Sequence, residues 1–167
     1  IQAQEGGEET AAKEWVDEFT HYVPYIKEDD FFGLQNYSRS LIGPNGILPV
    51  PEGAEITQMD YEYYPEGLEH VIRRVYEEMP MPIMVTENGI ATADDTRRVA
   101  YIQTAMKGVE NRIQDGIPVK GYMYWSMMDN FEWQKGFGMT FGLISVDRTT
   151  QTRTAKPSLT VLGNYTK

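Results

Sequence analysis

No cysteine occurs anywhere in the 167 residues, so disulfides, thiolate catalysis and cysteine-ligated metals are excluded. Histidine is nearly as scarce. His21 and His70 are the only two, too far apart for helical ligand spacing, and each reads as a surface or helix-face residue; no metal or other cofactor is expected. Positive charge is also short, with 15 Lys and Arg against 25 Asp and Glu and a net charge of −10. Such a chain has no basic stripe to neutralise phosphates, so nucleic acid is not an expected partner, whereas a neutral small molecule is compatible. No apolar run approaches the roughly 20 residues of a membrane span, and no signal peptide is visible. An initiator methionine is missing too. The opening Ile1-Gln2-Ala3-Gln4-Glu5 reads as a cut inside a longer chain, from which a targeting signal could have been lost.

Apolar residues make up 41% and aromatics 12% of the chain, as in an ordinary folded protein. The stretch around which the rest is organised is Pro82-Ile83-Met84-Val85-Thr86-Glu87-Asn88-Gly89. A short apolar run bounded by turn residues predicts a strand buried on both faces, with Glu87 projecting from its end. Taken alone, Glu87 fits a solvated residue at a turn equally well.

Residues 1–8 read as a loop or frayed end. From Glu9 to Val23, Ala12, Trp15, Val16, Phe19 and Val23 recur at helical spacing. Phe31 to Tyr37 predicts a strand, and a long loop dense in Gly and Pro runs from Gly43 to about Tyr64. Pro65 favours a helix start, and Leu68, Val71, Ile72, Val75 and Met79 form its stripe. After the Glu87 strand, Asp94-Asp95 suits a second helix N-terminus, with Val99, Ile102, Met106, Val109 and Ile113 as the apolar positions. Gly116 and Pro118 stop it. Val119 to Trp125 is a third strand, followed by an aromatic loop to about Phe141, a short extended segment at Leu143–Val146 and a final helix opened by Lys156-Pro157-Ser158. Strands alternating with helices imply an α/β fold with a parallel sheet. Three such strands alone leave both sheet edges open, which predicts a piece of something larger.

Gln35-Asn36-Tyr37, Thr86-Glu87-Asn88 and Trp125 all fall at C-terminal strand ends, the active-site face of a β/α barrel. The third strand runs into Trp125-Ser126-Met127-Met128-Asp129-Asn130-Phe131-Glu132-Trp133. Tryptophans can stack on the C–H faces of a pyranose while a carboxylate and an amide take its hydroxyls. The same tryptophans would also serve as core residues; beside Glu87 the sugar reading is preferred.

These residues resemble glycoside hydrolase family 1, the β-glucosidases and their relatives. The anchors are Val85 to Gly89, Asp95 to Tyr101, Gly121 to Trp133, Phe141-Gly142-Leu143 with Val146-Asp147, and Lys156-Pro157-Ser158. The resemblance implies a (β/α)8 TIM barrel of which this chain supplies about strands six to eight with their helices, residues 1–167 being part of one domain. It implies a retaining β-glycosidase acting on a small β-glycoside or oligosaccharide, with Glu87 as nucleophile and Tyr37 hydrogen-bonded to it. Trp125, Glu132, Trp133 and Phe141 would line the glycone site. Relatives that cleave 6-phosphorylated sugars replace the acid at Glu132, so its presence points to unphosphorylated glycosides.

Several positions depart from the family pattern. Gln35 stands where asparagine is common, so its contact near the acid/base is expected to shift. Tyr61 replaces a tryptophan lining the aglycone subsite, Asp60 replaces a usual glycine, and the C-terminal helix stops early, at Lys167. The family's acid/base lies in an Asn-Glu-Pro motif, which this chain lacks. Turnover is therefore expected to need the N-terminal portion of the same enzyme. The rival readings are a non-catalytic sugar-binding or assembly piece and an inactive truncation; a transglycosylase is a further option within the enzyme class. Composition and family habit suggest the cytoplasm.

Overall fold

The computed structural model describes residues 1–166. At the start, Gln2–Ala3 form a short strand, β1, where a frayed end was expected. It is held by parallel pairing with Leu41–Ile42, a partner distant in sequence and therefore invisible to local patterning. Helix α1 covers Glu8–Glu18 and ends sooner than its periodicity predicts. A continuous helix would place Pro24 in its interior, without an amide donor and against the carbonyl of Thr20. The chain instead leaves the helical region at Phe19 (φ −141°), makes a single tight turn at Thr20–Tyr22 and restarts as α2, Val23–Ile26, with Pro24 in its first turn. The buried face is Ala11, Trp15 and Phe19, while Ala12 and Val16 are exposed. Trp15, Phe19 and Phe32 stack in series with ring centroids 5.0 and 5.4 Å apart, docking α1 on the next strand.

That strand is β2, Phe32–Asn36. The expected long loop carries more order than predicted: β3 (Leu41–Gly43) and β4 (Gly46–Ile47) form a hairpin across Pro44-Asn45. Helix α3 (Gly67–Glu78) buries Leu68, Ile72 and Val75, with Val71 half-buried and Met79 buried just beyond its end. Next come β5 (Ile83–Asn88), α4 (Asp95–Gln114) and β6 (Val119–Tyr124). The last elements are an antiparallel pair, β7 (Ile144–Val146) with β8 (Arg153–Ala155), and α5 (Pro157–Gly163), followed by a turn at Asn164–Thr166. Lys167 lies outside the described residues.

Strands β2, β5 and β6 pair in parallel in that order, with α3 and α4 as the crossovers. Leu34, Leu68, Ile72, Ile83, Val85, Tyr101, Ala105 and Val109 fill the space between sheet and helices. The opposite face of β5 is only half-covered at Met84 and Thr86, because no layer of the described residues lies against it. Among the described residues nothing pairs with the outer edge of β2 or β6, and the sheet does not close. No helix among them is long and apolar enough to cross a membrane.

Helix α4 begins as its acids predict, Asp94 capping the amide of Thr96 at 2.9 Å. Its buried face, however, is broader than the apolar stripe. Arg98, Tyr101, Ala105, Gly108 and Arg112 are buried along with Ile102 and Val109, while Ile113 is half-exposed. Gly108 is needed by packing, since a Cβ there would stand 2.7 Å from the Cβ of Glu69 on α3. Asp95 then ties α4 to α5: its carboxylate accepts from the Ser158 amide (2.9 Å) and hydroxyl (2.7 Å) and pairs with Arg98.

Burial disfavours the charged form of Asp95, but the hydrogen bonds from Ser158 and Arg98 outweigh it and hold this carboxyl below its ordinary value. Its contribution to stability is thus complete above the unfolded carboxyl value of about 3.9 and is lost as pH falls through the lower folded value. Asp95→Asn should cost about 1.5–3 kcal/mol near neutrality, the deficit shrinking in acid; urea titrations of both proteins from neutrality down to strong acid would check this.

Candidate active site

Strict alternation along β5 would send Glu87 to the helix side with the fully buried Ile83 and Val85. It does not go there. The register with β6 shifts between Val85 and Asn88, and the register with β2 shifts between Leu34 and Gln35. Such irregularities re-aim side chains at sheet ends. Here Asn88 takes the buried place and Glu87 turns into the cleft.

The Asn88 amide, fully buried, donates to Asn36 O (2.7 Å) and to Tyr101 Oη (3.0 Å), and accepts from Tyr122 Oη (2.8 Å). Tyr101 in turn donates to the carbonyl of Tyr37 at 3.1 Å. One amide therefore ties β2, α4 and β6 beneath Glu87. The next residue is glycine for a steric reason, since a Cβ on Gly89 would lie 1.9 Å from the carbonyl oxygen of Trp125. The Trp125 amide closes the junction by donating to Asn88 O at 2.9 Å.

Above this floor lies a cleft of about 230 Å³ lined by Tyr37, Met59, Tyr61, Glu87, Trp125, Glu132, Trp133 and Phe141. Tyr37 Oη donates to Glu87 Oε2 at 2.5 Å. Burial, the hydrogen bond to Glu87 and the nearby carboxylates of Glu87 and Glu132 hold the Tyr37 phenol well above its ordinary value, so it stays a donor. Phe141, 4% exposed, packs edge-on against Tyr37 with centroids 5.9 Å apart. Trp133 stands out at 79% exposed, an aromatic face free to meet a ligand. Seven of the eight residues expected from sequence line this one cleft. Gln35 does not. It is exposed, lies in register with Glu87, and lines a separate apolar cavity with Trp15, Phe19 and Phe32.

The residues that hold the aromatic loop fall in stretches singled out in the sequence, but their supporting role was not legible there. Asp129 Oδ1 accepts from the Gly142 amide (2.8 Å), and its carboxylate faces Lys156 Nζ at 3.2 and 3.3 Å. Lys156 also donates to Gly142 O at 2.7 Å. Burial and the nearby charge of Arg98 lower the Lys156 pKa, with Asp129 opposing the shift. Arg98, wholly buried, donates to the carbonyls of Thr92 (2.5 Å) and Thr140 (2.6 Å), fixing the segment next to Phe141. Arg98 lies within the Asp95–Tyr101 stretch, but the apolar stripe of α4 gives no sign that it is buried. His21 and His70 are exposed, His21 Nδ1 lying 2.8 Å from Val16 O and His70 Nδ1 3.0 Å from Tyr64 Oη. Among the described residues no group of His, Cys, Asp and Glu could hold a metal ion.

A carboxylate at the C-terminal end of a parallel strand, met by a phenol and walled by aromatics, defines part of a β/α-barrel site. Known proteins agree with that class. The sequence pattern of Glycosyl hydrolase family 1 matches residues 25–164, and the chain belongs to that family. It is 37% identical to a 1,4-beta-D-glucan glucohydrolase of Thermotoga neapolitana, over 79% of this chain and 33% of that protein. A 6-phospho-beta-galactosidase of Lacticaseibacillus casei is 30% identical over 86% of this chain and 37% of its own length. The crystal structure of the beta-glycosidase BGL167 superimposes with a TM-score of 0.94 and 50% identity, covering 99% of this chain and 40% of the other. The chain thus spans about a third of the length of such relatives. The unclosed sheet is the corresponding segment of a family 1 TIM barrel.

The tyrosines around Glu87 carry a further consequence. Burial raises the pKa of Tyr101 and Tyr122 and pushes Tyr124 up to about 12. The unfolded state ionises first, near a pH of about 10, so stability should be full below that value and fall as pH rises above it. In an alkaline titration followed at 295 nm, exposed tyrosines should ionise first and these three, with Tyr37, only together with unfolding; ionisation of all tyrosines ahead of the loss of structure would contradict it.

Proposed function

We propose that this chain is the nucleophile-bearing, C-terminal part of a retaining β-glycosidase that acts on unphosphorylated β-glucosides and related β-glycosides. The observation that carries the reading is the 2.5 Å hydrogen bond from Tyr37 to Glu87 inside the aromatic cleft. Glu87 attacks the anomeric carbon and forms a glycosyl ester as the glycosidic bond breaks and the aglycone leaves with a proton from the partner carboxylic acid. Water, losing its proton to that same carboxylate, then hydrolyses the ester with net retention. Tyr37, kept protonated, steadies the carboxylate before attack and releases it as the ester forms. Trp125 stacks under the ring, and Glu132 with Trp133 takes hydroxyls on the far side. The partner carboxylate, about 5–5.5 Å from the nucleophile in such enzymes, belongs to the Asn-Glu-Pro motif that this chain lacks. The N-terminal portion of the same enzyme supplies it, and the site of action is the cytoplasm.

A second reading, a sugar-binding piece without catalysis, is favoured by that missing carboxylate alone. Covalent trapping separates the two. With the acid/base-bearing portion present, a 2-deoxy-2-fluoro-β-glucoside should add one glycosyl unit to the peptide containing Glu87, seen by mass spectrometry. Glu87→Gln, nearly isosteric, should remove both the adduct and turnover while leaving the melting temperature close to the parent's. Labelling elsewhere, or a variant that keeps most of its rate, would take the nucleophile role from Glu87.

Glu132 decides between phosphorylated and plain sugars. A carboxylate in a half-buried cleft repels a 6-phosphate. The ratio of kcat/KM for a β-glucoside over its 6-phosphate should therefore be large and should fall at least tenfold, about 1.4 kcal/mol, in Glu132→Ser. A parent that prefers the phosphorylated sugar would overturn this assignment.

A further inference from the structure

The mouth of the cleft is bridged by an ion pair between two loops remote in sequence. Lys135 Nζ lies 2.9 Å from Asp60 Oδ2. Asp60 sits in the turn Thr57–Tyr61, whose ends are joined by Thr57 N donating to Tyr61 O at 2.8 Å. Within it, Asp60 N donates to Thr57 O (3.1 Å), and Thr57 Oγ1 accepts from the amides of Met59 (3.2 Å) and Tyr61 (3.3 Å). The flanking residues Met59 and Tyr61 both line the cleft. Lys135 ends the single helical turn Trp133–Lys135, which directly follows Glu132, and Glu132 and Trp133 line the cleft as well. The pair therefore joins one wall of the cleft to the other.

The backbone at Asp60 makes the side chain informative. Its φ of 63° lies in the left-handed region, where glycine is at no disadvantage and most other residues are. The resemblance drawn from sequence expects glycine at this position. What aspartate adds is the carboxylate, and that carboxylate is spent on Lys135. Both side chains are open to solvent, 74% exposed for Asp60 and 42% for Lys135, so salt screens their attraction and the contact is weak enough to open and close.

We infer that Asp60 and Lys135 form a clasp that holds the Thr57–Tyr61 turn, and with it Tyr61, against the mouth of the cleft and so determines which aglycones the cleft accepts. The inference rests on the glycosidase reading above. The clasp acts on binding beyond the ring held over Glu87, and not on the bond broken there. Its signature is a selective change in KM for long aglycones.

The test uses the full-length enzyme with octyl and methyl β-glucosides. Asp60→Asn keeps the left-handed turn accessible and removes the charge; Lys135→Gln removes the other. Each should raise KM for the octyl glucoside by about two- to fivefold, the range an exposed ion pair spans, while kcat and both constants for the methyl glucoside hold. The double variant should do no more than either single one, as coupled residues behave. About 1 M salt should raise the parent's octyl KM by a similar factor and leave Asp60→Asn unchanged. Equal effects on both glucosides, additive variants or a salt-insensitive parent would overturn the clasp and leave the glycosidase reading intact. A parent that turns over neither glucoside would overturn the glycosidase reading itself, and this inference with it.

Discussion

A single buried amide decides the geometry of the cleft. The Asn88 side chain is wholly buried, and its three hydrogen bonds go to β2, α4 and β6. Leaving such a group unsatisfied would cost about 1–3 kcal/mol, so the strand end must turn Asn88 inward. Once it does, Glu87 must face the other way, towards Tyr37. The same network grips the Tyr37 backbone through Tyr101, so donor and acceptor are both positioned from below. Gly89 completes the constraint by letting the Trp125 carbonyl approach where no side chain would fit.

The aromatic loop needs a different kind of support. Phe131, Trp133 and Phe137 are each more than half exposed, so burial does not hold the loop in place. Its order comes from its two ends. Asp129 and Lys156 fix the Gly142 backbone, and Arg98 fixes Thr140, whose amide and hydroxyl also both donate to Gln58 Oε1. With its ends tethered to α4, α5 and the long loop, the tip can present tryptophan to solvent without collapsing. At the tip itself the restraints include the backbone bond from Glu132 N to Gly136 O (2.7 Å), the edge-on Phe131–Phe137 pair, Arg148 over the Phe137 ring and the Lys135–Asp60 contact, which is weak and screened.

The chemistry and the incompleteness of the sheet belong together. A parallel sheet of this kind is covered by helices on its outer face and by a closed ring of strands on the inner one. Here α3 and α4 provide the outer cover, while Met84 and Thr86 on the inner face remain half-open. The cleft is open on the same side, above the sheet ends. Family 1 relatives about three times as long place a full barrel around the equivalent segment. A nucleophile from this segment and an acid/base from outside it make the division of labour that the proposed mechanism requires.

Much of the arrangement was legible in the linear chain because it depends on local patterns. The apolar run before Glu87, the stripe of α3, the Asp94 cap and the tryptophans flanking Glu132 all carry their meaning within a few residues. Clustering of Tyr37, Glu87, Trp125 and Glu132 followed from one topological rule, that parallel strand ends share a face. Pairing of Gln2–Ala3 with β3 was not legible, since it joins segments far apart. Nor was the burial of Arg98 and Arg112, whose partners on α3, on other loops and within their own helix make charge tolerable inside. Gln35 lies at such a strand end too, in register with Glu87, but does not line the cleft formed by the described residues. The sequence by itself determined the elements, their order and the chemical groups at the strand ends. Tertiary structure alone decided which way each group points, because that depends on hydrogen bonds between residues that never meet along the chain.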